Sequence, residues 1–257
     1  MIIVLAGTAE GRKVVELLKS AGLPVTATAV SAYGADLLKE KCPDEVLEGC
    51  LDKQGLKELI QGKEAAFLVD ATHPFASLIS ELAMEAACEL DVKYIRLERR
   101  EVELLDHPLV SRIQDLEEIK YFLRAKQVVF STIGSKNLPR LAPMVNEAGA
   151  RLIARVLPTS EVIKGCEELG LSPDQILALK GPFSKDLNKQ LMLHYGADLL
   201  LTKETGTIGG FDTKIQAALE LALPTVVWCR PKLNYPVVLT NPEEVVEYIR
   251  SWKKREE

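Results

Sequence analysis

Short β-branched runs alternate with amphipathic stretches along almost the whole chain, and that alternation limits the fold more than any other feature. Runs at Ile2–Ala6, Val25–Val30, near Val46, Ala65–Asp70 and Tyr94–Leu97 read as strands. Between them, helical periodicity predicts helices over Gly11–Ser20, Ala35–Lys41, Lys53–Gln61 and Phe75–Leu90. Such a series implies a parallel sheet covered on both faces. The stretch LERREVELLDHPLVSRI then breaks the rhythm with dense charge and Pro108, and marks a crossover. Strands resume at Val128–Ser131, Arg151–Val156, Ile176–Leu179, Leu199–Leu201 and Thr225–Trp228. Helices are expected over Asp115–Arg124, Lys136–Glu147, Ser160–Leu169, Lys185–Tyr195, Asp212–Leu221 and Glu243–Trp252. The expected α/β fold is two Rossmann-like, doubly wound parallel-sheet domains facing each other across a cleft, residues 1–98 and 112–257.

A formal net charge of −5 argues against a nucleic-acid partner, because a phosphate backbone needs a basic face. Any anionic ligand must be held locally. The opening MIIVLAGTAEGRK has a short apolar run without a basic leader, so it reads as a first strand. No apolar run reaches the length of a membrane span, and a cytoplasmic protein without membrane association is expected. The five cysteines are scattered, with no Cys-x-x-Cys, and read as plain thiols; no metal site is expected.

Ligands of doubly wound sheets sit beyond the carboxyl ends of the strands, so the strand-to-helix loops are where chemistry is expected. In the first of these, LAGTAEGR, Gly7 suits a tight turn and Gly11 a close approach of helix to sheet. The helix start at Thr8, Ala9, Glu10 and Arg12 suits a phosphate. A plain strand-to-helix turn would look the same. After the second strand the chain offers Ser31 but no carboxylate for a ribose, which together with Arg12 favours a 2′-phosphate and hence NADPH over NADH. In VDATHPFA, Thr72 can cap a helix that starts near Pro74, and His73 is either a proton donor near the site or a residue bonded to nearby backbone.

The loops STIGSKNLP, RVLPTSE, LKGPFSKDLN and TKETGTIGGFDTK each set hydroxyls or glycines beside a Lys or Arg. Exposed amides, a hydroxyl and one cation hold a carboxylate or phosphate without a basic surface. Four such loops in one half of an acidic chain point to a ligand with several anionic groups. Read singly, Lys136, Lys180 and Lys203 are equally ordinary solvated charges.

Taken in order, GTAEGR, DATHPFA, TIGSKNL, LPT, KGPFSKDLN, LLTKETGTIGGFDTK and VVWCRP resemble the precorrin-6A and cobalt-precorrin-6A reductase family of cobalamin biosynthesis, through nearly the whole chain. The resemblance implies an NAD(P)H-dependent reduction of one double bond of a contracted-ring tetrapyrrole, without flavin. It also implies that the first domain binds the nucleotide and the second contributes to binding the substrate, a polycarboxylate. Carried onto this chain, Gly7, Thr8, Ala9, Glu10, Gly11 and Arg12 would bind the nucleotide, with Ser31 near its ribose and Thr72, His73 and Pro74 near its nicotinamide half. Gly134, Lys136, Lys180, Gly181, Ser184, Thr205 and Gly206 would hold substrate carboxylates. Ser135 stands where many relatives carry arginine, which leaves Lys136 as that loop's cation. His73 and Lys203, expected on opposite walls of the cleft, are the candidate catalytic groups.

Two other readings remain open on the residues alone. Another two-domain NAD(P)-dependent oxidoreductase is one, although no tyrosine here is followed four residues later by lysine, as short-chain dehydrogenases require. A two-lobed, non-catalytic binding protein is the other, and nucleotide binding separates it from a reductase.

Overall fold

The computed structural model describes residues 1–98, 106–204 and 211–256, which form two compact units. Unit 1 comprises Met1–Arg100 and Pro231–Glu257, and unit 2 comprises Glu101–Arg230.

In unit 1 the chain runs β1 (Ile2–Leu5), α1 (Ala9–Ser20), β2 (Val25–Ala29), α2 (Ala32–Lys39), β3 (Glu45–Glu48), α3 (Lys53–Gly62), β4 (Phe67–Asp70), α4 (Ser77–Glu89) and β5 (Lys93–Leu97). Unit 2 supplies β6 (Val110–Ile113), β7 (Val128–Ser131), α5 (Leu138–Glu147), β8 (Arg151–Val156), α6 (Ser160–Glu168), β9 (Ile176–Ala178), α7 (Lys185–His194), β10 (Leu199–Lys203), α8 (Phe211–Glu220) and β11 (Thr225–Trp228). The chain then returns to unit 1 as β12 (Val238–Leu239) and α9 (Pro242–Glu256).

Each unit holds a six-stranded, wholly parallel sheet, ordered β3-β2-β1-β4-β5-β12 in unit 1 and β9-β8-β7-β10-β11-β6 in unit 2. Both follow the doubly wound order in which the chain winds outward one way from a central strand, β1 or β7, and then the other. The sixth strand comes from the far end of the chain in unit 1 and from the start of the unit in unit 2. Parallel strands covered on both faces need apolar side chains on both, and β1, β2 and β4 are buried at every residue.

The C-terminal segment corrects the expected boundary at residues 112–257. Val238 pairs with Arg96 in the first sheet, Val245, Val246 and Ile249 join the core that holds Val14 and Leu18, and Trp252 packs edge-on against Phe67 at 5.1 Å. A strand of two residues leaves no run in the sequence, so nothing there shows the chain returning to the first sheet. The helix expected over Asp115–Arg124 is instead a 3-10 helix, Leu116–Phe122, fixed at its start by a capping box of Asp115 and Glu118.

Candidate functional site

Unit 1 has its switch point at β1, which pairs with β2 on one side and β4 on the other, so the loops after β1 and β4 emerge side by side. Thr8 is the N-cap of α1. Its Oγ1 accepts from the Gly11 N–H at 3.1 Å and donates to the Ala71 carbonyl at 2.9 Å, tying the two loops together. The remaining first-turn amides of α1, at Ala9 and Glu10, are the kind of donors a helix start offers an anion. Arg12 is half-buried and forms no ion pair among the described residues.

The two glycines of this loop differ. A Cβ on Gly11 would lie 2.9 Å from Ala6 Cα and 3.1 Å from Ala71 Cβ, nearer than side chains approach. On Gly7 it would meet Thr72 Cα at 3.7 Å, an ordinary contact, and Gly7 has no positive φ. Packing therefore requires glycine at 11 but not at 7. Gly11→Ala is expected to lower the stability of the ligand-free protein by about 1–3 kcal/mol in a urea melt, whereas Gly7→Ala leaves the midpoint unchanged.

Beneath the second loop lies a network built on Asp70, a fully buried carboxylate at the end of β4. Its Oδ1 accepts from the Thr72 N–H (2.9 Å), the Thr72 hydroxyl (2.6 Å) and Arg96 Nη1 (2.8 Å). Its Oδ2 accepts from Ser80 Oγ (2.6 Å) and the Tyr94 hydroxyl (2.7 Å). Arg96, also fully buried, donates through Nε to Glu98 at 2.8 Å and sits 5.2 Å from the Tyr235 ring centre. Burial opposes the Arg96 charge, but Asp70 and Glu98 outweigh it and keep the guanidinium protonated. Burial, reinforced by the Asp70 charge, pushes the Tyr94 hydroxyl far above its ordinary range, so it remains a donor.

This network replaces the helix cap expected of Thr72. α4 starts at Ser77 with Ala76 as an N-cap that makes no side-chain bond, and Pro74 is buried in the preceding turn rather than in a first helical turn. His73 is half-buried. Its Nδ1 accepts from the Phe75 N–H at 3.2 Å, so a neutral ring carries its proton on Nε2. Ser31 is an exposed N-cap of α2, its Oγ accepting from the Gly34 N–H at 3.2 Å.

In unit 2 the switch point falls at β7, between β8 and β10. Gly134 has φ +85, a conformation that side-chain-bearing residues seldom adopt, and it turns the chain into a 3-10 turn, Ser135–Asn137, that presents Lys136 to solvent. Lys203 closes β10 at 8% exposure, its Nζ 4.8 Å from the Trp228 ring centre. Burial, and then the nearby Lys136 charge, lowers its pKa to about 8. Trp228 is held by an Nε1–H bond to the Gln114 carbonyl at 3.1 Å. Beside Lys203, Glu204 accepts from the Arg230 N–H at 3.2 Å and faces Arg230 Nε at 3.4 Å, both residues being buried. Ser131, in register with Leu201, has a buried Oγ with no hydrogen-bond partner among the described residues.

Unit 2 thus brings Gly134, Lys136 and Lys203 to one switch point. Lys180, Gly181 and Ser184 follow the edge strand β9, two strands away from β7, and are exposed; Ser184 caps α7 through the Leu187 N–H at 3.2 Å. Thr205 and Gly206, with Gly209 and Gly210, lie outside the described residues. Asp70, Arg96 and Trp228 were not among the expected site residues. A carboxylate at a strand end two residues before Thr72 was the one signal that pointed to the network. Among the described residues no helix is long and apolar enough to cross a membrane.

The family model described as precorrin-6x reductase CbiJ/CobK matches residues 1–250. The cobalt-precorrin-6A reductase of Methanocaldococcus jannaschii is 37% identical over 254 residues, 98% of this chain and 99% of that protein. That of Priestia megaterium is 36% identical, covering 96% of each chain. A solved structure of CobK precorrin-6A reductase, 20% identical, superposes with a TM-score of 0.79 over 97% of this chain and 96% of its own, and shares the fold. The geometry of both switch points therefore belongs to a chain of the precorrin-6x reductase family.

Proposed function

We propose that the protein reduces cobalt-precorrin-6A, taking its hydride from NADPH and its proton from Lys203. The observation that carries this reading is the buried, partly discharged lysine at the unit 2 switch point, beside a second lysine and a buried hydroxyl. The relatives at 36–37% identity, matched from end to end, support the cobalt-loaded form of the substrate.

The residues of unit 1 fit a reduced nicotinamide nucleotide. The Thr8-capped start of α1 offers first-turn amides to a pyrophosphate, Gly11 lets that helix start lie close against the strand ends, and Gly7 leaves backbone open to approach. Arg12, with no ion pair among the described residues, takes the 2′-phosphate, and the absence of an acid directly after β2 fits NADPH. When bound, the nucleotide supplies a hydride equivalent to one carbon of the double bond. The Asp70 and Arg96 network holds the Thr72–Pro74 backbone rigid, which fixes His73 near the nicotinamide half.

In unit 2, Lys203 presents an ammonium whose proton is available near neutral pH, and delivers it to the carbon next to the hydride acceptor. Lys136 and Ser131 hold a substrate carboxylate there. Lys180, Gly181 and Ser184 take carboxylates further out, and Thr205 and Gly206 complete the set. The proposed setting is the cytoplasm.

Anaerobic turnover with the cobalt-loaded and metal-free substrates, each with NADPH and NADH, tests the reading. The highest kcat/KM is expected for cobalt-precorrin-6A with NADPH, and Arg12→Ala is expected to cut the preference for NADPH by roughly tenfold or more, the loss of one charged hydrogen bond. Preference for NADH, or for the metal-free ring, contradicts it.

A further inference from the structure

Lys214, in the first turn of α8, is 5% exposed and meets no carboxylate and no hydrogen-bond acceptor among the described residues. An ammonium buried in this way is unfavourable unless something supplies a negative charge. The charge that acts on it is another cation, Arg155 near the end of β8. The hydrogen-bond partner of Arg155 is neutral: Nη1 donates to Asn188 Oδ1 at 2.7 Å, while the guanidinium lies 4.6 Å from the Phe183 ring centre. Burial lowers Arg155 to about 10, and burial together with Arg155 lowers Lys214 to about 7.

Register and periodicity place these groups on one face. Leu201, Ser131 and Ala154 are paired across β10, β7 and β8, so Thr202 and Arg155 are the next residues along and share a side. It is the side of Phe130, Ile153 and Leu200, whose cluster includes Ala217 and Ala218 of α8. Lys214 precedes those alanines by three and four residues and so lies on the helix stripe that faces the sheet. Thr202 is fully buried, and its Oγ1 has no hydrogen-bond partner among the described residues. Two cations and a hydroxyl therefore lie on one face at the carboxyl end of the second sheet. Lys203, of opposite parity, belongs to the other face.

We propose that Lys214, Arg155 and Thr202 form a buried oxyanion pocket, separate from the Lys203 and Lys136 site, that takes one peripheral carboxylate of the tetrapyrrole. The proposal rests on the substrate reading above. The same donors suit a phosphate, so the test separates the tetrapyrrole from the nucleotide.

Binding of cobalt-precorrin-6A without nucleotide, and of NADPH without tetrapyrrole, is titrated for wild type, Lys214→Met, Arg155→Met and Thr202→Val, and each ligand-free protein is melted. Tetrapyrrole affinity is expected to fall roughly ten- to a hundredfold in each cation variant, and less in Thr202→Val. NADPH affinity is expected to stay at the wild-type value. Lys214→Met is expected to melt at or above the wild-type temperature, since it removes a buried charge without a counter-ion. Wild-type tetrapyrrole affinity in all three variants overturns the pocket, as does a loss confined to NADPH. A Lys214→Met protein that melts below wild type also overturns it, because the ammonium then has a stabilising partner within the protein. A wild-type protein that binds NADPH but not cobalt-precorrin-6A overturns the substrate reading first, and the pocket with it.

Discussion

Replacing Lys203 by methionine is expected to lower kcat by about 10²–10⁴-fold, the usual contribution of a positioned general acid, with a smaller change in the KM for NADPH. The wild-type enzyme should also lose kcat/KM as pH rises through about 8, where burial and the Lys136 charge place the loss of the Lys203 proton. The variant should lack that alkaline limb. Stability moves the other way. The unfolded chain keeps this lysine protonated up to its ordinary value of 10.5, so between about 8 and that value the unfolded state binds more protons. The Lys203 contribution therefore makes the folded protein more stable with rising pH in that window, while activity falls. Stopped-flow turnover and urea melts across the same pH series, on wild type and Lys203→Met, read both. A kcat within a fewfold of wild type in the variant removes Lys203 from the proton step.

The second large effect is expected at Asp70. Asp70→Ala leaves Arg96 charged at 0% exposure and strips partners from Thr72, Ser80 and Tyr94. Breaking a buried pair from one side costs about 3–5 kcal/mol, and the ligand-free protein should show this as a lower urea midpoint. Asp70→Asn keeps the shape but loses the charge and exchanges an acceptor for donors, so it is expected to fall in between. Both variants free the Thr72–Pro74 backbone and should raise the KM for the nucleotide even where folded protein is recovered. An Asp70→Ala protein with the wild-type midpoint contradicts the network as drawn.

Much of the fold was legible because parallel strands buried on both faces leave near-continuous apolar runs, as β1 and β4 do, and ten of the strands, the half-exposed edges β3 and β9 among them, left a readable signal. The two that did not, β6 and β12, are the sixth strands of the two sheets. β12 is only two residues long, and β6 sets Ser111 and Arg112 between its apolar ends, so neither carries an apolar run. Missing β12 also hid the return of the C-terminal helix to unit 1. Several hydroxyls that read as ligand donors are helix caps: Thr8, Ser31, Thr159 and Ser184 each accept the amide three residues on. Sequence cannot separate these roles, because a cap and an anion use the same helix start.

Side-chain networks were the least legible part of the site. Asp70 and Arg96 lie twenty-six positions apart and meet only because β4 and β5 are neighbours in register. Lys214 stood in a stretch already noted for its charges, yet only its helix phase against Ala217 and Ala218 turns it toward the sheet. Lys203 was legible by type and position, whereas its lowered pKa depends on burial beside Trp228 and on Lys136.

The most direct measurement is the mass of the product made anaerobically, in ordinary water, from cobalt-precorrin-6A and NADPH deuterated at its transferable position. Hydride transfer from the nucleotide is expected to give a product that has gained one deuterium from the nucleotide and one hydrogen from solvent. A product without deuterium, or unchanged tetrapyrrole beside a protein that binds both ligands, would contradict it.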